Sequence, residues 1–412
     1  MKRSFLLFIC LAFSITLLYA QEKITKAYAI TSEKQGNNIW TEVKLIDVRS
    51  GRVLKNIYEN SKAVYNVFEA RTGKQITVKD DRGNVTDHQK LPFAGYAAAC
   101  AYDRKHNRLY FTPMYINELR YIDLNAKEPK MYYFQNESFS RVNDLNNEAN
   151  HITRMVIGAD GNGYALNNDG THLVQFTTGK KPVINDLGSI QDDPANGQIS
   201  IRNRCTSWGG DLIAAASGDL YLISANRSVF RIDAGNRKAT YLGAIEGLPA
   251  NFTTNGAVVD EDGLIVVSSA NSVSGYYTVD PTNWKATALT KEGQVFNTSD
   301  LANGNLAFEK ELKNTTPLIS RSIVANSKIA VYPNPVAEGM FRVSFDNRDF
   351  GKYQIQLVDI TGKVLLQRSV QIGMKGQVEE MEFTNTITKG VYMVKVVNNN
   401  KKTIYADKIF VQ

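Results

Sequence analysis

Five times between residues 24 and 290 a short apolar stretch runs into a polar turn at the same relative point. Four of these stops are an apolar residue followed by Asp: LIDVRSG at Asp47, YIDLN at Asp123, RIDAGN at Asp233 and TVDPTN at Asp280. The fifth, VQFTTGK, carries Thr177 in the Asp position. Between them lie explicit turn signals, Asp160-Gly161-Asn162-Gly163, Asn168-Asp169-Gly170, Glu261-Asp262-Gly263 and Asn303-Gly304-Asn305. These residues supply the positive-φ positions that tight hairpins need. No stretch sustains a helical period, so the region reads as all-β, built from short antiparallel strands.

The intervals from Asp123 onward resemble one another and lie near the about 40–50 residues of one four-stranded propeller blade. Each unit reads as a strand, a turn, a second strand, a third strand ending at the repeat position, and a fourth. Tyr96–Ala101, Arg108–Thr112 and Lys130–Phe134 fill three of these places in one unit, and Asn255–Val259, Leu264–Ser268 and Lys285–Leu289 in another. The first interval, Asp47 to Asp123, is longer. It holds either another blade, around Val64–Ala70 and Gln75–Val78, or an excursion from the ring. The fold expected is therefore a β-propeller of five to six blades, with room for a seventh, and the competing fold is a pair of β-sandwiches. Radial repetition leaves only short, protected strand edges. Closure is expected from both ends of the region: Ala27–Thr31 and Thr41–Asp47 lack an inner strand, and Asn305–Phe308 reads as a strand left over.

The flanks carry different information. MKRSFLLFICLAFSITLLYA has a basic start, an apolar run and Ala20 before Gln21, the pattern of a secretory signal peptide cut between those two residues. Its apolar run is shorter than the about 20 residues that span a bilayer, and Cys10 stands mid-run, where lipidation is not expected. Cys100 and Cys205 follow in the exported part, as two buried thiols or as one disulfide. The chain has 43% apolar and 22% charged residues and a formal charge of +7. Its basic residues are dispersed, so nucleic acid is not an expected partner. The expected domains are a signal peptide at 1–20, a propeller at 21–308, a polar linker at 309–328 and a C-terminal domain at 329–412.

In the last domain the pattern tightens to six or seven strands: Phe341–Phe345, Tyr353–Asp359, Val364–Ser369, Val378–Phe383, Val391–Val397 and Thr403–Val411 are the clear ones. This suits a small immunoglobulin-like β-sandwich. Pro333 and Pro335 in VYPNP fix φ and remove backbone donors, so this segment sets how the chain enters the sandwich rather than extending a central strand. The blocks Tyr332-Pro333-Asn334-Pro335, Leu357-Val358-Asp359 with Thr361-Gly362-Lys363-Val364, Lys389-Gly390-Val391-Tyr392-Met393-Val394-Lys395-Val396 and Lys408-Ile409-Phe410-Val411 occur in order. Together they resemble the type A C-terminal sorting domain of cargo proteins of the type IX secretion system of Bacteroidota. The resemblance implies export through the periplasm to the cell surface or the medium, with the secretion machinery as partner and the tail removed on release or on attachment to lipopolysaccharide. It assigns sorting roles to Tyr332, Pro333, Asn334, Pro335, Asp359, Gly362, Lys363, Gly390, Val391, Tyr392 and Lys408.

Chemistry is harder to find in the repeat region. His88, His106, His151 and His172 have no metal-ligand spacing, the acidic turns do not form a calcium loop, and no nucleophile elbow or phosphate loop appears. No cofactor, metal or catalytic residue is assigned. Asn117, Trp208, Asn226, Tyr276 and Trp284 are the aromatic and amide residues suited to stacking on sugars or holding peptides. The expected function is non-enzymatic binding of a glycan or protein; the alternative is a polysaccharide-degrading lyase or glycosidase with its acid and base on different blades.

Overall fold

The computed structural model describes residues 23–309, apart from 62–65, 81, 129, 136, 180–181, 291–294, and 329–411, apart from 333, 335, 337–338, 346–349, 360–361, 375–376, 384–386 and 401. The expected signal peptide with Ala20 and Gln21, the linker beyond Glu309, and Pro333 and Pro335 therefore lie outside the described residues.

The chain opens with β1 (Lys26–Thr31), β2 (Glu42–Asp47) and β3 (Val53–Tyr58), followed by the short β4 (Val67–Glu69) and β5 (Gln75–Ile76). A second group comprises β6 (Ala97–Asp103), β7 (Arg108–Pro113), β8 (Arg120–Asp123) and β9 (Lys130–Tyr133). A third comprises β10 (Ile152–Ile157), β11 (Gly163–Asn167), β12 (Leu173–Phe176) and β13 (Ile184–Gly188). Next come β14 (Gln191–Asp192), the single helical turn α1 (Arg204–Ser207), β15 (Asp211–Ala214), β16 (Leu220–Ile223), β17 (Ser228–Asp233) and β18 (Lys238–Ala244). The region ends with β19 (Gly256–Val259), β20 (Ile265–Ser268), β21 (Tyr277–Val279), β22 (Ala286–Ala288) and β23 (Thr298–Ala302).

Hydrogen bonding sorts these strands into five units with inner strands β23, β6, β10, β15 and β19, antiparallel except where β4 joins β9 and β14 joins β18. Each inner strand touches the next, β6 to β10 to β15 to β19 to β23 and back to β6, so the units close into a ring. This is a five-bladed β-propeller. Small residues recur in several inner strands, as in Ala97-Ala98-Ala99-Cys100-Ala101 of β6 and Gly256-Ala257 of β19, where strands converging on an axis leave little room for side chains. The fourth strands β18 and β22 are largely half-buried or exposed.

All five repeat positions of the sequence belong to third strands. Asp47, Asp123 and Asp233 end β2, β8 and β17, Asp280 follows β21 and Thr177 follows β12. The Asp carboxylates cap the turn to the fourth strand, accepting the N–H of Arg49 (3.2 Å), Asn125 (3.0 Å), Asn236 (3.1 Å) and Thr282 (2.8 Å). The long first interval is an excursion, not a hidden blade: β4 lies parallel on β9, and β4 and β5 widen the second blade at its outer edge.

Closure joins both ends of the region, but through a different strand from the one expected. β23, Thr298–Ala302, pairs antiparallel with β1 and supplies the inner strand of the first blade. Asn305–Phe308 is not a strand; Ala307 only bridges Ala215. The physical reason is composition: Thr298–Ala302 is buried throughout, whereas Asn303 and Asn305 turn their amides onto the Val259 carbonyl, both at 2.8 Å. Cys100 is buried and Cys205 exposed, and both are free thiols.

The C-terminal strands are β24 (Ile329–Tyr332), β25 (Met340–Phe345), β26 (Gly351–Val358), β27 (Val364–Ile372), β28 (Gln377–Glu382), β29 (Gly390–Asn398) and β30 (Thr403–Val411). They form two sheets, β24-β25-β28 and β27-β26-β29-β30. Phe341, Val343 and Phe345 of one sheet pack on Ile355, Leu357, Val394, Val396 and Ile409 of the other in one apolar core, the arrangement of a β-sandwich. Asn334 faces the free edge of β30: its Nδ2 donates to the Lys408 carbonyl (2.8 Å) and its Oδ1 accepts from the Phe410 N–H (2.9 Å).

Candidate functional site

In every blade the inner strand runs away from one face of the ring and the second strand returns to it. That face therefore collects the starts of the inner strands and the loops between second and third strands. A funnel of about 350 Å³ opens there on the axis. Trp40, Met114, Asn168, Ala225 and Ala270 come from the five second-to-third loops. Ala98, Thr153, Gly210, Asn255 and Ser299 come from the five inner-strand entries.

The fourth blade supplies the aromatic wall. Asn203 caps α1 by accepting the Cys205 N–H (2.9 Å), and the turn delivers Arg204 and Trp208 to the mouth. The Trp208 indole N–H donates to the Arg202 carbonyl (3.0 Å), and the Arg204 guanidinium lies 5.2 Å from the Trp208 ring centroid. Arg204 also reaches across the blade boundary to Glu148 at 2.6 Å. These two charges offset each other at an exposed rim. Behind Trp208, Gly210 sits at φ +91°, where a Cβ would stand 1.9 Å from the Ile223 carbonyl oxygen, so no side chain fits at that point.

The opposite wall is apolar. Trp40 lines it, and the neighbouring rim residues Ile39, Tyr96 and Tyr115 are exposed. Tyr96 holds a left-handed φ of 63°, a conformation that costs a non-glycine residue about 1–3 kcal/mol. Its carbonyl accepts the Met114 N–H (2.9 Å). The Tyr115 ring meets the His151 ring edge-on at 4.6 Å, and His151 is buried with its Nε2 2.7 Å from the Leu145 carbonyl.

Below the mouth the ring is plugged. Asp211 of β15 and Asp300 of β23 are fully buried. Asp211 accepts from the N–H groups of Leu212 and Ala257 at 2.6 Å each. Asp300 accepts from Leu301 N–H (2.9 Å) and from Cys100 N–H. The two carboxyls are hydrogen-bonded to each other, and four inner strands meet on them. Burial pushes Asp211 up to about 7, and burial with the facing Asp211 charge pushes Asp300 well above the usual carboxylate range. Both shifts favour the protonated forms of the facing carboxyls. Beyond it, at the other end of the inner strands, only about 10 Å³ of void remains. Arg154 of β10 is also fully buried; it donates to the carbonyls of Asn167 (2.9 Å), Asn168 (3.2 Å), Ser207 (2.6 Å) and Gly209 (2.9 Å), stapling blades three and four under the funnel wall. Desolvation lowers its pKa to about 9.

Of the five stacking and amide candidates in the sequence, Trp208 alone lines the funnel. Asn117 pins the Ser140 backbone (2.8 Å), Asn226 donates to the Cys205 carbonyl (2.5 Å), Tyr276 is buried with its hydroxyl on the Phe296 carbonyl (2.9 Å), and Trp284 packs beside Tyr221. His172 pairs with Asp186 at 2.7 Å on blade three. No group of His, Cys, Asp or Glu among the described residues is arranged to hold a metal ion. Asp211, Asp300 and Arg154 were missed by sequence reasoning. The readable signal is an Asp-Leu pair within an inner strand, Asp211-Leu212 in β15 and Asp300-Leu301 in β23.

The C-terminal sandwich has its own signature in the Asn334 clasp, the Gly362 turn at φ +88° and the long β29–β30 pair. Residues 330–412 match the family model of the secretion system C-terminal sorting domain. The C-terminal sandwich is a sorting domain of the type IX secretion system. A sorting domain implies engagement with that secretion machinery and export to the cell surface or extracellular space. No helix among the described residues is long and apolar enough to cross a membrane.

No curated protein sequence matches the chain. Among solved structures, the chain is similar to PorZ, an essential surface component of the type IX secretion system of Porphyromonas gingivalis, at 14% identity and TM-score 0.31; the likeness covers 91% of this chain and 50% of that one. The chain thus spans about half the length of PorZ. It is also similar to a Bacteroides caccae protein of unknown function (10% identity, 87% and 99% covered, TM-score 0.35). A third likeness is to virginiamycin B lyase of Staphylococcus aureus (9% identity, 77% and 84% covered, TM-score 0.30). With TM-scores this low, none of these adds to the fold established by the ring closure.

Proposed function

We propose that this type IX cargo is a non-enzymatic binding protein whose propeller takes a glycan at the axial funnel. Residues 1–20 act as the signal peptide, 21–308 as the binding propeller, 309–328 as the linker and 329–412 as the sorting module. The tail is removed on release or on attachment to lipopolysaccharide. The observation that carries the binding reading is the two-sided mouth. The braced Trp208 and Trp40, with Tyr115 exposed on the neighbouring rim, offer flat apolar faces, while Asn255 and the exposed Arg204–Glu148 pair offer polar edges. A pyranose has the same division, an apolar ring face and a hydroxyl rim, and aromatic stacking with a few fixed polar groups is how concave sites hold such ligands.

The test uses the purified mature protein against a polysaccharide panel, with thermal shift and reducing-end release scored together. Stabilisation without release, lost in Trp208→Ala, is the expected result. Turnover abolished by His151→Ala or His172→Ala would instead assign a degrading enzyme.

A further inference from the structure

The motif residues of the sorting domain divide by what they do in the fold. Asn334 clasps β30. Asp359 caps a turn by accepting the Lys363 N–H at 3.0 Å, and Gly362 gives that turn its left-handed residue. Tyr392 is buried, its hydroxyl donating to the Thr388 carbonyl at 2.7 Å. These residues build the sandwich. Val391, Lys363 and Lys408 point outward.

Strand register brings these outward residues together, although the blocks that contain them are far apart in sequence. Directly opposed residues share a face of a sheet, and Val391 opposes Phe410, Met393 opposes both Lys408 and Val358, and Val358 opposes Val364. One end of the outer face of the four-stranded sheet therefore carries Val364 (43% exposed), Val391 (40%) and Phe410 (49%), with Met393 between them. Lys408 and Lys395 extend the same face, and Lys363 and Lys389 flank it in the adjoining turns. Among the described residues, the outward positions of this face hold Lys352, Lys395 and Lys408 and no carboxylate. The other sheet differs: Glu380 and Glu382 face outward there beside Arg342.

An apolar patch at the centre of a lysine-bearing face is costly to leave in water and marks a contact surface. We propose that the Val364–Met393–Val391–Phe410 strip is the surface through which the secretion machinery reads the folded sorting domain, and that the docking element is apolar with an acidic rim. The lysines select the rim charge, and the apolar strip supplies the buried centre of the contact. Recognition thus depends on the folded sandwich, because only strand pairing places Val364, Val391 and Phe410 side by side.

The test is secretion of the full chain by a bacterium carrying a type IX system. Val391→Glu, Phe410→Glu and Lys408→Glu are compared with Val378→Glu, an equally exposed apolar position (45%) on the other sheet. The strip variants are expected to lower extracellular protein by at least about tenfold, the equivalent of one lost contact of about 1.4 kcal/mol, and to accumulate folded and protease-resistant in the periplasm. Val378→Glu is expected to secrete like the parent. Normal secretion of Phe410→Glu, or an equal block by Val378→Glu, would overturn the assignment. If Val391→Glu or Phe410→Glu is degraded, Lys408→Glu decides alone, since it alters only an exposed side chain, and unimpaired secretion of that variant overturns the proposal. A dimer of the full chain that Phe410→Glu dissolves while secretion stays normal would assign the strip to a second copy instead.

Discussion

Asn334 serves as a one-residue strand for Phe410: its side-chain amide accepts the Phe410 N–H at 2.9 Å and donates to the Lys408 carbonyl at 2.8 Å. An open strand edge is a template for pairing with another chain, and here the amide of the YPNP segment covers it. Val336 continues the cover, its N–H donating to the Phe410 carbonyl at 2.6 Å.

Asn334→Ala should therefore destabilise the sorting domain by about 1–2 kcal/mol, from two partly solvated hydrogen bonds of about 0.5–1.5 kcal/mol each. Urea unfolding of the full chain, followed by hydrogen-exchange protection of the β29 and β30 amides, reads this midpoint separately from the propeller. An unchanged midpoint would show that water substitutes for the amide without loss.

The Asp211–Asp300 pair makes propeller stability depend on pH. Both carboxyls titrate higher in the folded than in the unfolded chain, so the folded state binds more protons in the window between. Stability is full below the ordinary carboxylate range near pH 4 and falls as pH rises through about 7, the value for Asp211. The slope should approach about 1.4 kcal/mol per pH unit for each proton held. Asp300→Asn keeps an amide donor toward Asp211 and removes a titrating group, so its urea midpoint should vary less between pH 4 and 8. A variant slope equal to the parent's would place the titration elsewhere.

Arg154→Met should cost at least about 3 kcal/mol, since each buried carbonyl left without its donor costs about 1–3 kcal/mol. Four carbonyls, of Asn167, Asn168, Ser207 and Gly209, lose their donor together. Arg154→Lys is expected to recover little, because one ammonium cannot reproduce a planar fork. Chemical denaturation at pH 7 measures both, and a loss below about 1 kcal/mol would mean that water enters and replaces the guanidinium.

A chain ending at Phe296 removes β23 while keeping every other blade strand. Its loss exposes β1, β6 and β19 at once, so the ring should lose cooperative unfolding rather than fray. A chain ending at Ala302 is expected to retain most of the stability. Circular dichroism with urea titration separates the cases; equal midpoints for the two chains would rule out β23 as the closing strand.

Much of the molecule was legible from residue order. Strand and turn chemistry alternate over short distances, so Asp47, Asp123, Thr177, Asp233 and Asp280 mark the third strands from local pattern alone. The four blocks from Tyr332 to Val411 identify the sorting domain for the same reason, since each is a contiguous stretch. What sequence could not decide is whatever depends on which segments meet in space. Blade number turned on whether Val67–Glu69 founds a blade or leans on β9, a choice made by the free edge of β9. Closure fell to Thr298–Ala302 rather than Asn305–Phe308 because the former pairs with β1 and is buried throughout, while the Asn303 and Asn305 amides are held on the Val259 carbonyl. Asp211 and Asp300 lie in separate blades, and their upward pKa shifts arise only because ring closure removes both from water. The funnel and the Val391–Phe410 strip have the same origin: each is assembled from residues distant in the chain, and convergence, not composition, gives each its chemistry.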